Sequence, residues 1–368
     1  MISMDNGELG DHEDLLNCRD GVIKVLSPSL QVLKHNPNFH FRSYVDVSCA
    51  EIQRCHREPE YRKAFHHGYF EDFAAKMSNG DPQKVQMLLE SAAFVTIEHR
   101  FKGFYLLYGP HSTGKSQWGK YLKWLVGDCY THALEGLHGF DDKYALGDLY
   151  GKKLALGLEV PHEARISSRA VGAIKTLTGD DPINAKVKYG HSFTYDYGRP
   201  MLVFASNFPI YVEDEAFLDR MYVIPFDTTP IPKTEQVPKL HEHLREETPY
   251  ILYRSILAYQ DYFRRGDGPT RVNLPNEWNQ PTTSSSEDLI CEFLKALTEV
   301  KIDSQVSTKQ LYQEYLTYSE NAAISPGSFA KFLPGAVRHA FPGVVEPQKA
   351  VAGSQNRGYK NLAFKCSV

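Results

Sequence analysis

No apolar run in this sequence approaches the roughly 20 residues that a membrane-spanning helix needs. Its acidic start, MISMDNGELGDHEDLL, lacks the basic-then-apolar order of a secretory signal, so the expected location is the cytoplasm. Six cysteines occur (Cys18, Cys49, Cys55, Cys129, Cys291 and Cys366), and no two form a CxxC pair. That spacing argues against a zinc site or a disulfide framework and leaves scattered reduced thiols. The histidine clusters, His66-His67 and His241 to His243, likewise lack a cysteine or carboxylate framework at metal-ligand spacing. There is no cation excess: 41 Lys and Arg stand against 45 Asp and Glu, a net charge of −4. A surface of that balance does not attract polyanions globally, so any nucleic-acid contact must come from local basic clusters. Internal repeats are also missing.

What is present is an ordinary globular composition. With 42% hydrophobic residues over 368 positions, the chain can build two or three cores. Four stretches differ in character. Residues 1–92 begin with β-like GVIKVL and FHFRSYVDV, then turn helical through YFEDFAAKM and QKVQMLLESAAFVTIEH. Residues 93–266 alternate short apolar strands (FYLLY, KLALGL, MLVFAS, MYVIPF) with helices and polar loops, and end in a helical stretch closed by Gly266. That alternation predicts an α/β unit with a mainly parallel sheet. Residues 267–286 are dense in Pro, Ser, Thr and Asn and read as a linker. Residues 287–368 predict two or three short helices and then two strands around a polar loop.

Directly after FYLLY stands GPHSTGKS, a full match to G-x-x-x-x-G-K-S. Gly109 and Gly114 allow the backbone to turn tightly and aim N–H groups at phosphate oxygens, Pro110, His111, Ser112 and Thr113 filling the loop between them. Lys115 reaches the β and γ phosphates, and the hydroxyl of Ser116 ligates Mg²⁺. The helix that begins with Ser116 and Gln117 adds its positive end. ATP and Mg²⁺ are the expected cofactors.

Three downstream residues separate a motor from other phosphate-loop proteins. Glu159 ends the strand KLALGLE, where a carboxylate can polarise the water that attacks the γ phosphate and help hold Mg²⁺. Leu158 before it reduces the usual acidic pair to one acid. Asn207 stands at the tip of MLVFASN, where an amide can orient that water; it can equally start the turn NFP. Arg220 precedes the strand MYVIPF, where an arginine can stabilise transition-state charge in a neighbouring subunit; the plainer alternative is a surface pair with Asp214 or Glu215.

With those motifs in order, the passage from LLYGPHSTGKS through GKKLALGLEV and LVFASN to DEAFLDRMYVIPF resembles the superfamily 3 helicases. More narrowly, it is similar to the helicase half of phage/plasmid and poxvirus primase–helicases. NCRDGVIKV resembles the start of that group's helical, collar-like domain, and STKQLYQEY through NRGYKNLAF its winged-helix tail. The resemblance implies an AAA+-like core assembled as a hexameric ring. Lys115, Ser116, Glu159 and Asn207 of one subunit would then meet Arg220 of the next. Nothing before residue 90 resembles a primase, so priming is expected from a separate primase or polymerase or from an N-terminal region missing from this sequence.

The resemblance also places a channel-facing hairpin in LTGDDPINAKVKYGHSF. Lys186 and Lys188 alternate in AKVK, which on a strand puts both on one side, and Gly190 can turn the tip. Tyr189 adds a ring for base stacking. Repeated around a ring, two ammonium groups per subunit concentrate positive charge that the whole surface lacks. In the tail, Ser307 and Gln310 form a capping box, and Ser328 is the candidate cap of FAKFL, which Pro334-Gly335 interrupts. Arg357 and Lys360 in the presumed wing are candidate phosphate contacts; a protein-docking wing is the alternative. The expected function is ATP-driven translocation on single-stranded DNA and unwinding of forked DNA for a mobile element. The alternative is an ATP-switched initiator that binds DNA without unwinding it.

Overall fold

The computed structural model describes residues 14–99, 101–160, 166–188, 190–196, 198–210, 212, 214–226, 228–272, 286–318, 326–348 and 357–365. It divides into two units, Met1–Pro275 and Asn276–Val368. Among the described residues no helix is long and apolar enough to cross a membrane.

The first unit opens with β1 (Leu15–Cys18), β2 (Gly21–Lys24) and β3 (Val32–Leu33). Four helices follow: α1 (Cys49–Arg57), α2 (Pro59–Lys63), α3 (Tyr69–Ser78) and α4 (Pro82–Thr96). The chain then returns as β4 (Ile97–Glu98), giving an antiparallel sheet of order β3-β2-β1-β4. The N-terminal stretch, read as β-like and then helical and likened to a helical collar domain, is thus mixed α/β, with GVIK in a strand as expected. FHFRSYVDV forms no strand: Asn36 caps a 3₁₀ turn at Pro37–Phe39, His40 turns left-handed at φ 50°, and only Val45 bridges to Cys18. The expected boundary at residue 92 falls inside α4, whose last turns are buried and share one hydrophobic core with the sheet that follows.

That second sheet carries β5 (Phe104–Tyr108), β6 (Thr131–Ala133), β7 (Leu154–Val160), β10 (Met201–Ser206) and β11 (Met221–Pro225). Every pairing is parallel and the order is β11-β5-β10-β7-β6. Buried throughout, β5 and β10 read as continuous apolar runs because helices cover both faces. Helices α5 (Lys115–Val126), α6 (Ala145–Asp148), α7 (Ser168–Leu177) and α8 (Glu215–Leu218) connect the strands. A two-stranded hairpin, β8 (Ile183–Ala185) and β9 (Phe193–Tyr195), stands outside the sheet. Helices α9 (Leu240–Glu246) and α10 (Thr248–Arg265) finish the unit, α10 ending at left-handed Gly266. Close contact seats α5 on β7: a Cβ on Gly119 would lie 2.3 Å from Leu158 Cδ2. The supposed linker starts later than residue 267, since Thr270 bonds buried Glu90 and the Arg271 guanidinium lies 4.1 Å over the Tyr222 ring.

The second unit runs α11 (Ser286–Leu297), β12 (Thr298–Ser307), α12 (Thr308–Tyr318), α13 (Pro326–Ala340), β13 (Glu346–Gln348) and β14 (Gly358–Phe364). Its antiparallel sheet has the order β12-β14-β13, over a core of its own that includes Phe293, Leu311, Tyr315, Phe329, Val337 and Leu362. The capping box forms as expected, Gln310 N–H donating to Ser307 Oγ and Ser307 N–H to Gln310 Oε1. Two expectations about α13 fail. The helix begins at Pro326, so Ser328 lies inside it, and it continues through Pro334 to Ala340. Burial of Phe329, Leu333, Ala336 and Val337 along one face holds it together where proline removes one backbone bond.

Candidate functional site

All strands of the parallel sheet point the same way, so their carboxyl ends lie on one edge. There the register sets Tyr108 beside Ser206 and Pro225, and Ser206 beside Val160. The loop after β5 begins at this edge. Gly109 has φ 149° and Gly114 φ 102°, and neither position has room for a side chain. A Cβ would stand 2.4 Å from Phe226 O at Gly109 and 2.6 Å from the Phe73 ring at Gly114. Ser112 makes the third left-handed turn, φ 58°, and its carbonyl accepts from Ile231 N–H at 3.2 Å. The segment after β11 is therefore strapped along the loop, from Phe226 N–H on Tyr108 O at 2.6 Å to Ile231.

Among the described residues, the backbone N–H groups of His111, Ser112, Gly114, Lys115 and Ser116 find no acceptor, and α5 has no side-chain cap. Five unpaired donors in the loop and at the helix N-terminus form a concave anion site, so the loop fits a polyphosphate. The Lys115 ammonium is buried and donates to Gly109 O at 2.6 Å and Pro110 O at 2.5 Å. The buried hydroxyl of Thr113 braces the loop, donating to Pro110 O at 2.9 Å. Pro110, His111, Ser112 and Ser116 are exposed, Ser116 offering its hydroxyl at the first turn of α5.

Burial pushes the Lys115 ammonium down to about 8, against two carbonyls that favour its charge. A folded-state value below the ordinary one means the unfolded chain holds more protons between about pH 8 and the usual lysine range. Stability of the free protein therefore rises with pH across that window. A bound triphosphate restores the full charge, so nucleotide affinity should fall as pH rises through about 8, by up to about tenfold per unit. Titrating a non-hydrolysable ATP analogue across this range checks it, and Lys115→Met should bind weakly with no such slope.

Glu159 is exposed at the end of β7, and Asn207 is exposed in the bend after β10. The neighbour of Asn207 ties it to the loop. Ser206 O accepts from Gly109 N–H at 3.2 Å, and Ser206 Oγ accepts from Phe208 N–H at 3.1 Å, fixing the bend. The sheet thus brings Glu159, Asn207 and Lys115 to one edge. Arg220 it does not: the residue after it, Met221, pairs with Phe104 at the other end of β5, about 13 Å of strand away. Asp214 forms its ion pair with Lys175 at 2.9 Å, and the Arg220 charge acts on it from further off. Arg220 donates through Nη1 to Ala216 O, and its buried Nε has no partner among the described residues.

Sequence reasoning missed His241 as a site residue. Its Nδ1 lies 2.8 Å from Gln117 Oε1, and its N–H donates to the same oxygen at 3.3 Å. Burial, then Arg245 and Lys120, hold its pKa below the usual histidine value, so the neutral ring orients the Gln117 amide. In the sequence it stood only within HEH, which lacks a metal-ligand framework; its nearness to Gln117 is visible in space alone.

The hairpin corrects a detail of the sequence reading. The first strand ends at Ala185, so Lys186 and Lys188 belong to the connecting turn, both exposed, and period-two facing does not apply. Gly190 N–H closes that turn on Val187 O at 3.1 Å; Tyr189 lies outside the described residues. Tyr195 Oη donates to Leu146 O at 2.9 Å, and a Cβ on Gly147 would meet Lys186 O at 2.3 Å, so the hairpin is seated on α6. In the second unit Arg357 is exposed, while Lys360 is half-buried on the central strand opposite Glu346. Lys331 and Arg338, seven positions apart on exposed turns of α13, are cations that the sequence reading passed over.

Residues 107–220 match a family of unknown function, DUF5906. The match runs from the end of β5 to Arg220 and so takes in the loop, Glu159 and Asn207. No curated protein matches the sequence. Among solved structures, the apo C-terminal region of NrS-1 aligns with a TM-score of 0.44 at 11% identity, over 80% of this chain and 75% of that one. The JCV helicase aligns with a TM-score of 0.30 at 13% identity, over 79% and 77%. Overlaps this loose leave the function to the residues of the chain itself.

Proposed function

We propose that this chain is an ATP-driven DNA helicase of superfamily 3 type, working as a head-to-tail hexameric ring, for a phage, plasmid or similar element in its host's cytoplasm. One observation carries the reading: Lys115, Glu159 and Asn207 share one edge of the parallel sheet while Arg220 sits at the other. Such a split makes sense where the arginine serves a neighbouring copy. The strand order β11-β5-β10-β7-β6 supports an AAA+-like core. The order helix, strand, two helices, two strands in the second unit supports a winged-helix tail, with Lys331, Arg338 and Arg357 as phosphate contacts and Lys360 a lesser one.

When bound, ATP with Mg²⁺ supplies the phosphoanhydride whose cleavage drives the cycle. The loop N–H groups hold phosphate oxygens, and Lys115 exchanges the Gly109 and Pro110 carbonyls for them. Ser116 and Glu159 would hold the ion. Glu159 also takes the proton of the attacking water, which Asn207 orients. Arg220 of the adjoining subunit stabilises charge on the transferred group. Lys186 and Lys188 at the hairpin tip grip the DNA backbone, with Tyr189 as a stacking partner, and a primase or polymerase is supplied by a partner.

The test pairs a hydrolysis assay with strand displacement on a forked duplex. The expected result is hydrolysis accelerated by single-stranded DNA and displacement lost in Lys186→Ala/Lys188→Ala. DNA binding that depends on ATP, with the fork left intact, would instead identify an initiator switch.

A further inference from the structure

Arg199 stands four residues beyond the hairpin's second strand, and its guanidinium is spent on the hairpin's base. Nη1 donates to Thr176 O at 2.7 Å and Gly179 O at 2.8 Å. Nη2 donates to Asp181 O at 2.6 Å and Asp196 Oδ1 at 3.0 Å, and Nε to Asp196 O at 3.2 Å. Asp181 leads into β8 and Asp196 follows β9, while Thr176 and Gly179 belong to the last turn and exit of α7. One side chain, 10% exposed, therefore staples both legs of the hairpin to the carboxyl end of that helix. The partial negative charge there favours a cation and leaves carbonyls free for it.

The same turn has a second attachment. Lys175 donates to Asp214 at 2.9 and 3.2 Å, and Asp214 caps α8 by accepting from Phe217 N–H at 2.9 Å. Two residues past α8 comes Arg220, whose Nη1 donates back to Ala216 O within α8. At its other end α7 is held by its cap Ser167, which accepts from Ala170 N–H and donates to Asp141. The helix is a short rod pinned at its start, with hairpin and arginine segment both footed on its last turn.

We propose that this last turn, with Arg199 on one side and the Lys175–Asp214 ion pair on the other, is a relay coupling the hairpin's position to that of Arg220. The relay rests on the reading of the chain as a DNA-driven motor. Arg199, Lys175 and Asp214 touch neither nucleotide nor reacting atoms; they are positioning residues. A hairpin displaced by DNA pulls on the carbonyls that Arg199 holds, and the shift reaches Arg220 through the ion pair. At about one-third exposure on each side, the pair is too solvated to decide folding.

The experiment measures ATP turnover by the full chain with and without a thymidine oligonucleotide, and oligonucleotide binding by fluorescence anisotropy. Asp214→Asn keeps the cap on Phe217 and removes the charge and one of the two oxygens that accept from Lys175. Arg199→Lys keeps the charge and loses the forked grip. Both should retain basal turnover, KM for ATP and oligonucleotide affinity within about twofold, while stimulation by DNA falls roughly fivefold or more, the low end of coupling between sites. Lys175→Met should behave the same way, and Lys175→Arg should keep the stimulation. Full stimulation in Asp214→Asn and Arg199→Lys overturns the relay and leaves the motor reading standing. Basal turnover lost in step with stimulation also overturns it, because the residues would then be structural supports. Turnover of the parent chain indifferent to DNA overturns relay and motor reading together.

Discussion

Lys115→Ala is expected to abolish nucleotide hydrolysis, with a loss of about a thousandfold, while leaving the fold intact. The size follows from what the ammonium faces. A buried cation aimed at developing phosphate charge acts in a medium that weakens fields far less than water does, and removing one such preorganised donor costs about 10²–10³ in kcat. The fold should survive because the free protein gains little from this charge: burial holds the Lys115 pKa down to about 8, so ionisation at neutral pH opposes folding. Its two carbonyl partners, Gly109 O and Pro110 O, belong to a loop already fixed by Thr113 and by the crowding of Phe226 and Phe73. Thermal unfolding should therefore stay at or above the parent midpoint. A large drop in that midpoint would mean that Lys115 is a structural pillar and not a phosphate ligand.

Arg220→Ala should have an equally large effect of a different kind. Turnover should fall by about 10³-fold or more, as for arginines supplied across a boundary to phosphoryl transfer. Nucleotide affinity should stay near the parent value, since this arginine lies at the far end of β11 from its own chain's loop. Its side chain is half-buried, with Nε unpartnered among the described residues and Nη1 braced on Ala216 O, so it is held at the edge of α8 and not free in solvent. Equilibrium binding of a fluorescent ATP analogue, set beside steady-state turnover, separates the two quantities. Normal hydrolysis by this variant would remove the reason for a shared site.

Much of this was legible in the residues. FYLLY and MLVFAS are strands to the residue, because fully apolar five- or six-residue runs bounded by glycine or polar turns suit only a buried strand. The phosphate loop was equally plain, since its spacing is imposed by backbone geometry that only glycine allows at Gly109 and Gly114. What escaped depends on distant packing. Nothing local shows that α4 would be buried against α10 and fuse the N-terminal stretch to the parallel sheet. Pro334 looked like a helix breaker, but core contacts on its flanks outweigh one lost bond. The Gln117–His241 pair and the Arg199 staple join residues 124 and up to 23 positions apart, beyond the reach of periodicity.

The shared site is tested most directly by mixing two inactive chains. Lys115→Ala supplies an intact Arg220, and Arg220→Ala supplies an intact loop. Combined in equal amounts and allowed to exchange subunits in the presence of DNA, they should recover hydrolysis at roughly a quarter of the interfaces of a randomly mixed head-to-tail ring. Recovery from two dead preparations is the result this account predicts. A mixture as inactive as its components, with exchange verified by labelled subunits, would contradict it.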